Sequence, residues 1–487
     1  MLNSKHETLN SKQTRNNKSQ TLNVSSFEVR VWKKIIAVMF FCLMIYGVSR
    51  AYASGSPEQP KEPRLITLSQ GIEMVLKDNR LIKSALPDNE IAFQESLRSR
   101  SVLFPQVSVF AEKIFSRYPP AIKFGDVAVE TGDKNPLNYG IDIYQTLFDF
   151  GKNLSNYRAS KELYKAIEAH TESVKRIAVL EFVTAYFNLL EADKMILVLK
   201  KESESLTSYL SDIEHLYEEG VVVKNDLLPA RVSLADVKQR LIAARNAREV
   251  ALARLNNILA LPLNENLVIQ DINMQPMKAP EISNAWDIAS KQRPEITFYS
   301  DQINASSFSE RAKLVENWPT LFLDTGYAYN QNRYVIHEAN TSINFGVKMD
   351  LFDGGLARAD LLKERARGGQ LKEQKEKLIE DIKFEIEDSY FGFKNASEKI
   401  AVAKDSLEEA DENVRFYRVK YAAGSATPTD VLGAISLQTR AQVNYCSSEY
   451  ELKRSYAKLM YSMGIDLALI YEVMDRKHGD TAKTQNR

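Results

Sequence analysis

Histidine and cysteine, two side chains that often act in catalysis or bind metals, are few in this sequence, and they are not grouped. Clustered ligands at short spacing would predict a metal centre. No histidine is paired with another at such spacing, and Cys446 has no second cysteine in the expected mature chain. The glycine pairs lack the lysine and spacing of a phosphate-binding loop. We therefore expect no enzyme, no metal and no cofactor. The five histidines are His6, His170, His215, His337 and His478.

One polar phrase is written twice. YAAGSATPTDVL begins at Tyr421, and a looser version, YEEGVVVKNDLL, begins at Tyr217. In both, a glycine stands three residues after the tyrosine, and an aspartate further on directly precedes an apolar run. Gly220 and Gly424 are placed to end a helix in the left-handed conformation.

The aspartates of this phrase, Asp226 and Asp430, can accept hydrogen bonds from the first N–H groups of a returning helix. Asn225 and Thr429 are competing candidates for the same capping position. We interpret the phrase as the tip of a helical hairpin that occurs twice.

The spacing of the two phrases extends to the rest of the chain. Gly220 and Gly424 are separated by 204 residues, and the same separation relates LFDFGK at 147–152 to LFDGGL at 351–356. Pro105 and Pro319, which precede the candidate strands, are separated by 214 residues, so the first half has an insertion between them and the LFD motif. A constant separation that is kept from the candidate strands to the hairpin tips, apart from this one insertion, predicts an internal duplication.

Each half contains two runs of about 10 residues in which apolar and polar residues alternate, which is long enough for tilted strands to cross a bilayer. The polar face includes Asp142, Asp324, Asn344 and Lys348. Four such strands cannot close a barrel alone, because strand edges exposed to lipid are not tolerated. Copies from other chains would have to complete it.

After each pair of candidate strands, the apolar residues recur with the spacing of a helix. Residues 152–218 contain neither proline nor glycine, and 356–423 repeat this pattern with glycine at 368, 369 and 392. A helix of this length is about 100 Å long and needs helical neighbours to cover its apolar stripe. Returning helices follow each tip.

The chain has equal numbers, 64 each, of basic and acidic residues, so it is not a typical nucleic-acid binder. Lys33-Lys34, an apolar run over 35–48 and Ala51-Tyr52-Ala53 together predict a secretory signal. The expected organisation is a polar extension and signal peptide over 1–53, a first repeat over 54–274 (strand hairpin 105–149, tip near 219–226), a second repeat over 275–466 (strand hairpin 319–353, tip near 423–430) and a C-terminal tail over 467–487.

Taken in order, these motifs resemble the TolC-like outer-membrane efflux proteins. The resemblance covers about residues 65–466 and includes ITLSQGIEMVLKDN, LFPQVSV, NWPTLFLDTGYAY and LMYSMGI. It implies a mixed, mainly α fold. Three chains would share a 12-stranded transmembrane β-barrel in outer-membrane lipid, and their long helical hairpins would form a periplasmic α-barrel. An inner-membrane pump would deliver drugs or secreted proteins to it through a periplasmic adaptor.

The resemblance also implies a gate at the tips. Tyr421 and Asp226 would take part in its closing bonds, and three copies of Asp430 would form a cation-selective ring. Two positions depart from the family pattern, since a second acidic position is Gly433 and a latching arginine is Ala426. The alternative function is a periplasmic coiled-coil adaptor or scaffold that is not a channel.

Overall fold

The computed structural model describes residues 64–272 and 281–474. The expected signal peptide and the expected boundary between the repeats at 274/275 lie outside these residues. The elements follow in chain order. They are β1 (Arg64–Ile66), α1 (Leu68–Asp78), α2 (Arg80–Ser101), β2 (Gln106–Lys113), β3 (Ala121–Phe124), β4 (Val127–Glu130), β5 (Leu137–Phe148), α3 (Lys152–Glu218), α4 (Lys224–Ile258), β6 (Leu267–Ile269), α5 (Ile282–Gln292), α6 (Pro294–Leu314), β7 (Thr320–Asn330), β8 (Ala339–Lys348), α7 (Leu356–Ala422) and α8 (Pro428–Ser462).

Four strands form one antiparallel sheet in the order β2-β5-β7-β8. Pro105 and Pro319 immediately precede β2 and β7. Residues that pair directly across an antiparallel sheet share a face, so the register places apolar and polar side chains in separate rows. One row contains Val107, Ile143, Thr325 and Ile343, and the next contains Gln106, Tyr144, Asp324 and Asn344.

The apolar face of this sheet is open. Val109, Ile343 and Phe345 are 77%, 66% and 71% exposed. On the polar face, the Asn344 amide lies 3.4 Å from the Asp324 carboxylate. A sheet with one apolar, uncovered face requires a partner or a lipid surface to bury that face.

The insertion in the first repeat contains the short hairpin β3–β4, which the sequence analysis did not predict. It is attached to the β7–β8 loop by the ion pair of Arg333 with Asp133, 2.5 Å between nitrogen and oxygen, and by the hydrogen bond from Tyr334 to Glu130 at 2.6 Å. The insertion and the β7–β8 loop therefore form one structure at the same end of the sheet.

The long helices repeat residue for residue. Helices α3 and α7 have 67 residues each, and α4 and α8 have 35 each. The first residues of α3 and α7, and those of α4 and α8, are separated by the same 204 residues that relate the motifs. None of the helices in the described ranges is both long and apolar enough to cross a membrane.

These helices lie side by side in a strip. In the half nearer the tips the order is α4–α3–α8–α7, because α3 packs against both α4 and α8 while α8 packs against α7. In the half nearer the sheet, α2 and α6 take the places of α4 and α8. The strip therefore has two unlike edges, with α2, β2 and α4 on one side and β8 and α7 on the other.

The largest core lies where the two repeats meet, around the aromatic residues Phe182, Tyr186 and Phe187 of α3. Helix α1 packs tightly here, since a Cβ added at Gly71 would lie 2.0 Å from the Phe182 ring. Residues 467–474, which were expected to begin a tail, are helical, and Tyr471 is fully buried in this core.

Candidate functional site

Each long helix ends at the glycine of the doubled phrase. Gly220 and Gly424 have φ of 75° and 71°. The N–H of Gly220 donates to the Tyr217 carbonyl at 3.1 Å, and the next N–H donates to the carbonyl of residue 216 at 2.9 Å. Equivalent bonds of 3.0 and 2.9 Å surround Gly424. This pair of bonds is the Schellman motif, which ends a helix and turns the chain back.

The returning helices begin differently from the sequence prediction. Their N-cap residues are Val223 and Thr427, so neither Asn225 nor Thr429 is the cap, and Asp226 and Asp430 occupy the third helical position. A side chain at that position reaches back to the N-cap N–H.

At the second tip this arrangement is a complete capping box. Thr427 Oγ1 accepts from the Asp430 N–H at 3.2 Å, and the Asp430 carboxylate accepts from the Thr427 N–H at 2.8 Å. At the first tip only one half of it is possible, because Val223 has no side-chain acceptor; the Asp226 carboxylate accepts from the Val223 N–H at 3.3 Å.

The two tips pack against each other in a second apolar cluster. It is formed by Leu206, Tyr209 and Ile213 of α3, Leu227 and Leu234 of α4, Val414 of α7, and Val431 and Ile435 of α8, and Tyr421 packs against it. The Tyr209 and Tyr421 rings meet edge to face with centroids 6.2 Å apart. The Tyr209 hydroxyl donates to the Pro428 carbonyl, which directly joins the first hairpin to the second.

The structure brings Tyr421 close to Asp226 without a hydrogen bond between them. Burial, and then the charges of Asp212 and Asp226, raise the pKa of Tyr421. The Tyr421 hydroxyl is buried and has no hydrogen-bond partner within the described residues. A buried hydroxyl without a hydrogen-bond partner is uncommon in folded proteins and requires an explanation.

Asp430 forms its hydrogen bonds with Thr427 and not with this pair. It is exposed, and the hydrogen bonds from the side chain and backbone of Thr427 lower its pKa. It is therefore a charged carboxylate at neutral pH. Gly433 lies three residues further along the same helix face, and a Cβ added there would have no atom within 4 Å.

The sequence analysis left the role of the aspartates in the LFD motif open. Asp149 and Asp353 lie two residues before Gly151 and Gly355, the N-cap residues of α3 and α7, and their carboxylates accept from the first N–H groups of these helices. The Asp353 carboxylate accepts from the N–H groups of Gly355 and Ala357, both at 2.8 Å. The Asp149 carboxylate accepts from two corresponding N–H groups at 3.0 and 2.8 Å. These residues fix the junction between the sheet and the long helices.

The hydrogen bonds to Asp353 lead to a prediction about how stability depends on pH. The Asn317 side chain and the two N–H groups lower the pKa of Asp353 to about 2, below the ~3.9 of an unfolded chain. Stabilisation from the lowered pKa is present above about pH 4 and is lost as the pH falls through 2. We expect Asp353→Asn to lower the midpoint of thermal unfolding in detergent at neutral pH.

The difference between Asp353→Asn and the unmodified protein should shrink as the pH falls from about 4 towards 2. The control Asp350→Asn removes the same charge three residues away and should leave the midpoint unchanged. Equal effects of the two substitutions would contradict a capping role.

The described residues contain no group of three histidine, cysteine, aspartate or glutamate side chains arranged to hold a metal ion. What they contain is a strip in which a sheet with one apolar face continues into helices about 100 Å long. Both edges of the strip are uncovered, and its far end closes in two packed tips. This architecture is typical of outer-membrane channels.

Comparison with known proteins identifies the family. The model of the outer membrane efflux protein family matches residues 71–261 and 294–465. The chain belongs to this family, and it is an outer-membrane protein. The family consists of transport channels and not of enzymes.

Similar proteins agree with this assignment. The outer membrane protein TolC of Escherichia coli (strain K12) is 20% identical over 416 residues, covering 82% of both chains. The solved outer-membrane channel OprN superimposes with a TM-score of 0.72 at 18% identity, over 86% of this chain and 98% of OprN. The CmeC outer membrane channel of Campylobacter jejuni gives a TM-score of 0.72 at 19% identity, over 86% and 90%.

Proposed function

We propose that three copies of this chain form a channel-tunnel that passively conducts drugs or secreted proteins out of the cell. The tunnel is the exit duct of a tripartite efflux pump or a type I secretion system. An inner-membrane pump supplies the energy, and a periplasmic adaptor joins the pump to the hairpin tips.

The observation that most supports this proposal is the pair of unlike edges. Unlike edges that meet head to tail generate rings when the rotation closes. Joining β8 of one copy to β2 of the next pairs strand edges that lipid would not tolerate. Three copies give 12 strands, and the same joining places α7 beside α4 and α2 of the neighbour.

The second support is the chemistry of the two faces. The apolar rows of the sheet would face lipid, and the polar rows with Asp142, Asp324 and Asn344 would face the lumen. A test is fractionation followed by gel electrophoresis with and without heating. A heat-dissociable trimer in the outer-membrane fraction is the expected result, whereas a monomer in the periplasmic fraction would contradict the proposal and favour an adaptor or scaffold.

The tips would form the gate. Three copies of Asp430, exposed at the first turn of α8, would form a ring that favours cations. Tyr421 and Asp226 would take part in closing. Ala426 leaves no arginine to latch the tip, so the closing contacts depend more on the tyrosines and the apolar cluster.

The gate can be tested at Tyr421. Tyr421→Phe removes a hydroxyl that has no hydrogen-bond partner within the described chain, so the fold of one subunit should not be weakened. We expect this substitution, and Asp226→Ala, to raise single-channel conductance in planar bilayers severalfold. Tyr417→Phe, on the same helix and packed against the same cluster, is the control. Unchanged conductance in both test variants would argue against the closing role.

A further inference from the structure

Each repeat has a junction where two short helices meet the end of a returning helix. In the first, Asn79 lies between α1 and α2, and its side chain donates to the Ile258 carbonyl at the end of α4 at 2.8 Å. In the second, Arg293 lies between α5 and α6, and its Nη1 donates to the Ser462 carbonyl at the end of α8 at 3.4 Å. Asn79 and Arg293 are separated by 214 residues, and the two carbonyls by 204. We call these equivalent arrangements the first and the second junction.

Helix α3 covers the second junction with a basic side chain. Arg176 Nη1 donates to the Gln292 carbonyl at the end of α5 at 2.8 Å, and to the Gly464 carbonyl after α8 at 2.7 Å. The ends of helices carry partial negative charge, so a guanidinium is favourable there.

The same place at the first junction is an open cleft of about 480 Å³. Asp78 and Ala260, which correspond to Gln292 and Gly464, both line it. No residue of α3 lines this cleft. The first junction therefore lacks the cover that Arg176 gives to the second.

The cleft has more basic than acidic side chains. Lys77, Arg80 and Lys83 line it, together with Glu73 and Asp78. Asp78 is paired with Lys83 at 2.8 Å. Two basic side chains then remain against one acidic one, so the cleft favours an acidic group.

The internal repeat identifies such a group. Helix α7 is the counterpart of α3, and 204 residues after Arg176 stands Glu380, which is exposed. In the proposed ring, α7 of one copy lies against the first junction of the next. The covering side chain has therefore changed from basic to acidic where the cleft that it meets is basic.

A second cluster of charges shows the same reversal. Between α3 and α8, Lys194 and Lys453 pair with Asp271 at 3.5 and 3.0 Å, and Lys453 also pairs with Glu449 at 2.9 Å. In α7 and α4, each of these lysines is replaced by a glutamate and Glu449 by an arginine. The counterparts are Glu398, Glu249 and Arg245.

The apolar residues of α7 also indicate a missing neighbour. Phe391 is 59% exposed, whereas its counterpart Phe187 in α3 is fully buried. Val402 is 70% exposed, whereas its counterpart Val198 is 8% exposed. Helix α7 therefore has an uncovered apolar face where α3 is covered.

We propose that a second copy of this chain fills the cleft of the first junction and places the Glu380 carboxylate of its α7 beside Lys77 and Arg80. The reversed charges direct α7 to the first junction of a neighbour, because Glu380 in the place of Arg176 would face carbonyl oxygens and be repelled. This inference rests on the proposed trimeric channel and adds the contact by which each copy selects its neighbour.

Exchanging the charges of Glu380 and Arg80 tests this contact. Glu380→Arg and Arg80→Glu should each lower, by several degrees, the temperature at which the trimer dissociates on heated gels, because like charges then meet at each boundary of the ring. The combined variant restores opposite charges and should recover most of the loss. The single effects should shrink at high ionic strength, where the contact is screened.

Glu408→Arg is the matched control on the same helix. Its counterpart Glu204 is exposed although α3 has neighbours on both sides, so the dissociation temperature should not change. Single variants that behave like this control, or a combined variant no more stable than the weaker single one, would overturn the inference and leave the cleft to another partner. Unmodified protein that forms no trimer would instead refute the proposed function, so the two failures are distinguishable.

A cysteine pair tests the placement directly in a Cys446→Ser background. Arg80→Cys with Glu380→Cys should react with a short bis-maleimide to give covalent dimers and trimers on denaturing gels. Arg80→Cys with Glu408→Cys, about 40 Å further along α7, should give monomers alone. Monomers alone from the first pair, or equal products from both pairs, would contradict the placement.

Discussion

Replacing Ile343 with arginine is expected to abolish recovery of the proposed trimer from the outer membrane. Ile343 lies in the middle of β8, is 66% exposed, and shares its apolar row with Val107, Ile143 and Thr325. An arginine facing lipid at the bilayer midplane costs about 2–4 kcal/mol. Three copies in one barrel would raise the cost to roughly 6–12 kcal/mol, comparable to the whole stability of a typical domain.

The next residue along the strand gives the matched control. Asn344→Arg introduces the same side chain one position later, on the polar face, where its row contains Asp324, Tyr144 and Gln106. The guanidinium would face the lumen beside a carboxylate, so normal amounts of trimer are expected. Heat-modifiable gel mobility of outer-membrane fractions measures both variants. Equal loss, or a reversed order, would show that the assignment of faces is wrong.

The residues on each face of the sheet and the lengths of the long helices could be predicted from the sequence, because both depend on local patterns. Alternation along β7 and β8 determines which residues share a face once the strands pair in register. The helix ends could be predicted because only a residue that tolerates positive φ completes the turn at Gly220 and Gly424. Because the motifs of the two halves are separated by the same 204 residues, the interpretation of one half also holds for the other.

Other features were wrongly predicted or missed for identifiable physical reasons. Several polar residues compete for the start of each returning helix. Thr427 is the cap because its hydroxyl and the Asp430 carboxylate satisfy each other's N–H groups, a reciprocity that single-residue preferences do not contain. The role of Tyr209 could not be detected from any sequence pattern, because its partner is a backbone carbonyl 219 residues away. The β3–β4 hairpin had a usable cue in Gly125-Asp126, a two-residue turn between alternating residues.

Replacing Asp430 with lysine is expected to reverse the charge selectivity of the channel. In water, an ion on the axis about 8 Å from each of three carboxylates is stabilised by about 1.5 kcal/mol in total, which is roughly a tenfold preference for cations. Three ammonium groups would give a similar preference for anions. The reversal potential under a salt gradient should therefore change sign, and it should do so most strongly at low ionic strength, where screening is weakest.

Two further variants separate the charge of this ring from its role in the helix cap. Asp430→Asn removes the charge but keeps an oxygen that can accept from the Thr427 N–H, so selectivity should fall to near zero while the tip stays folded. Gly433→Asp adds a carboxylate where a new Cβ meets no atom within 4 Å, one turn further along the helix. A second ring there should strengthen the cation preference. If Asn and Lys at position 430 gave the unmodified reversal potential, Asp430 would serve only in the capping box with Thr427, and the constriction would lie elsewhere in the tunnel.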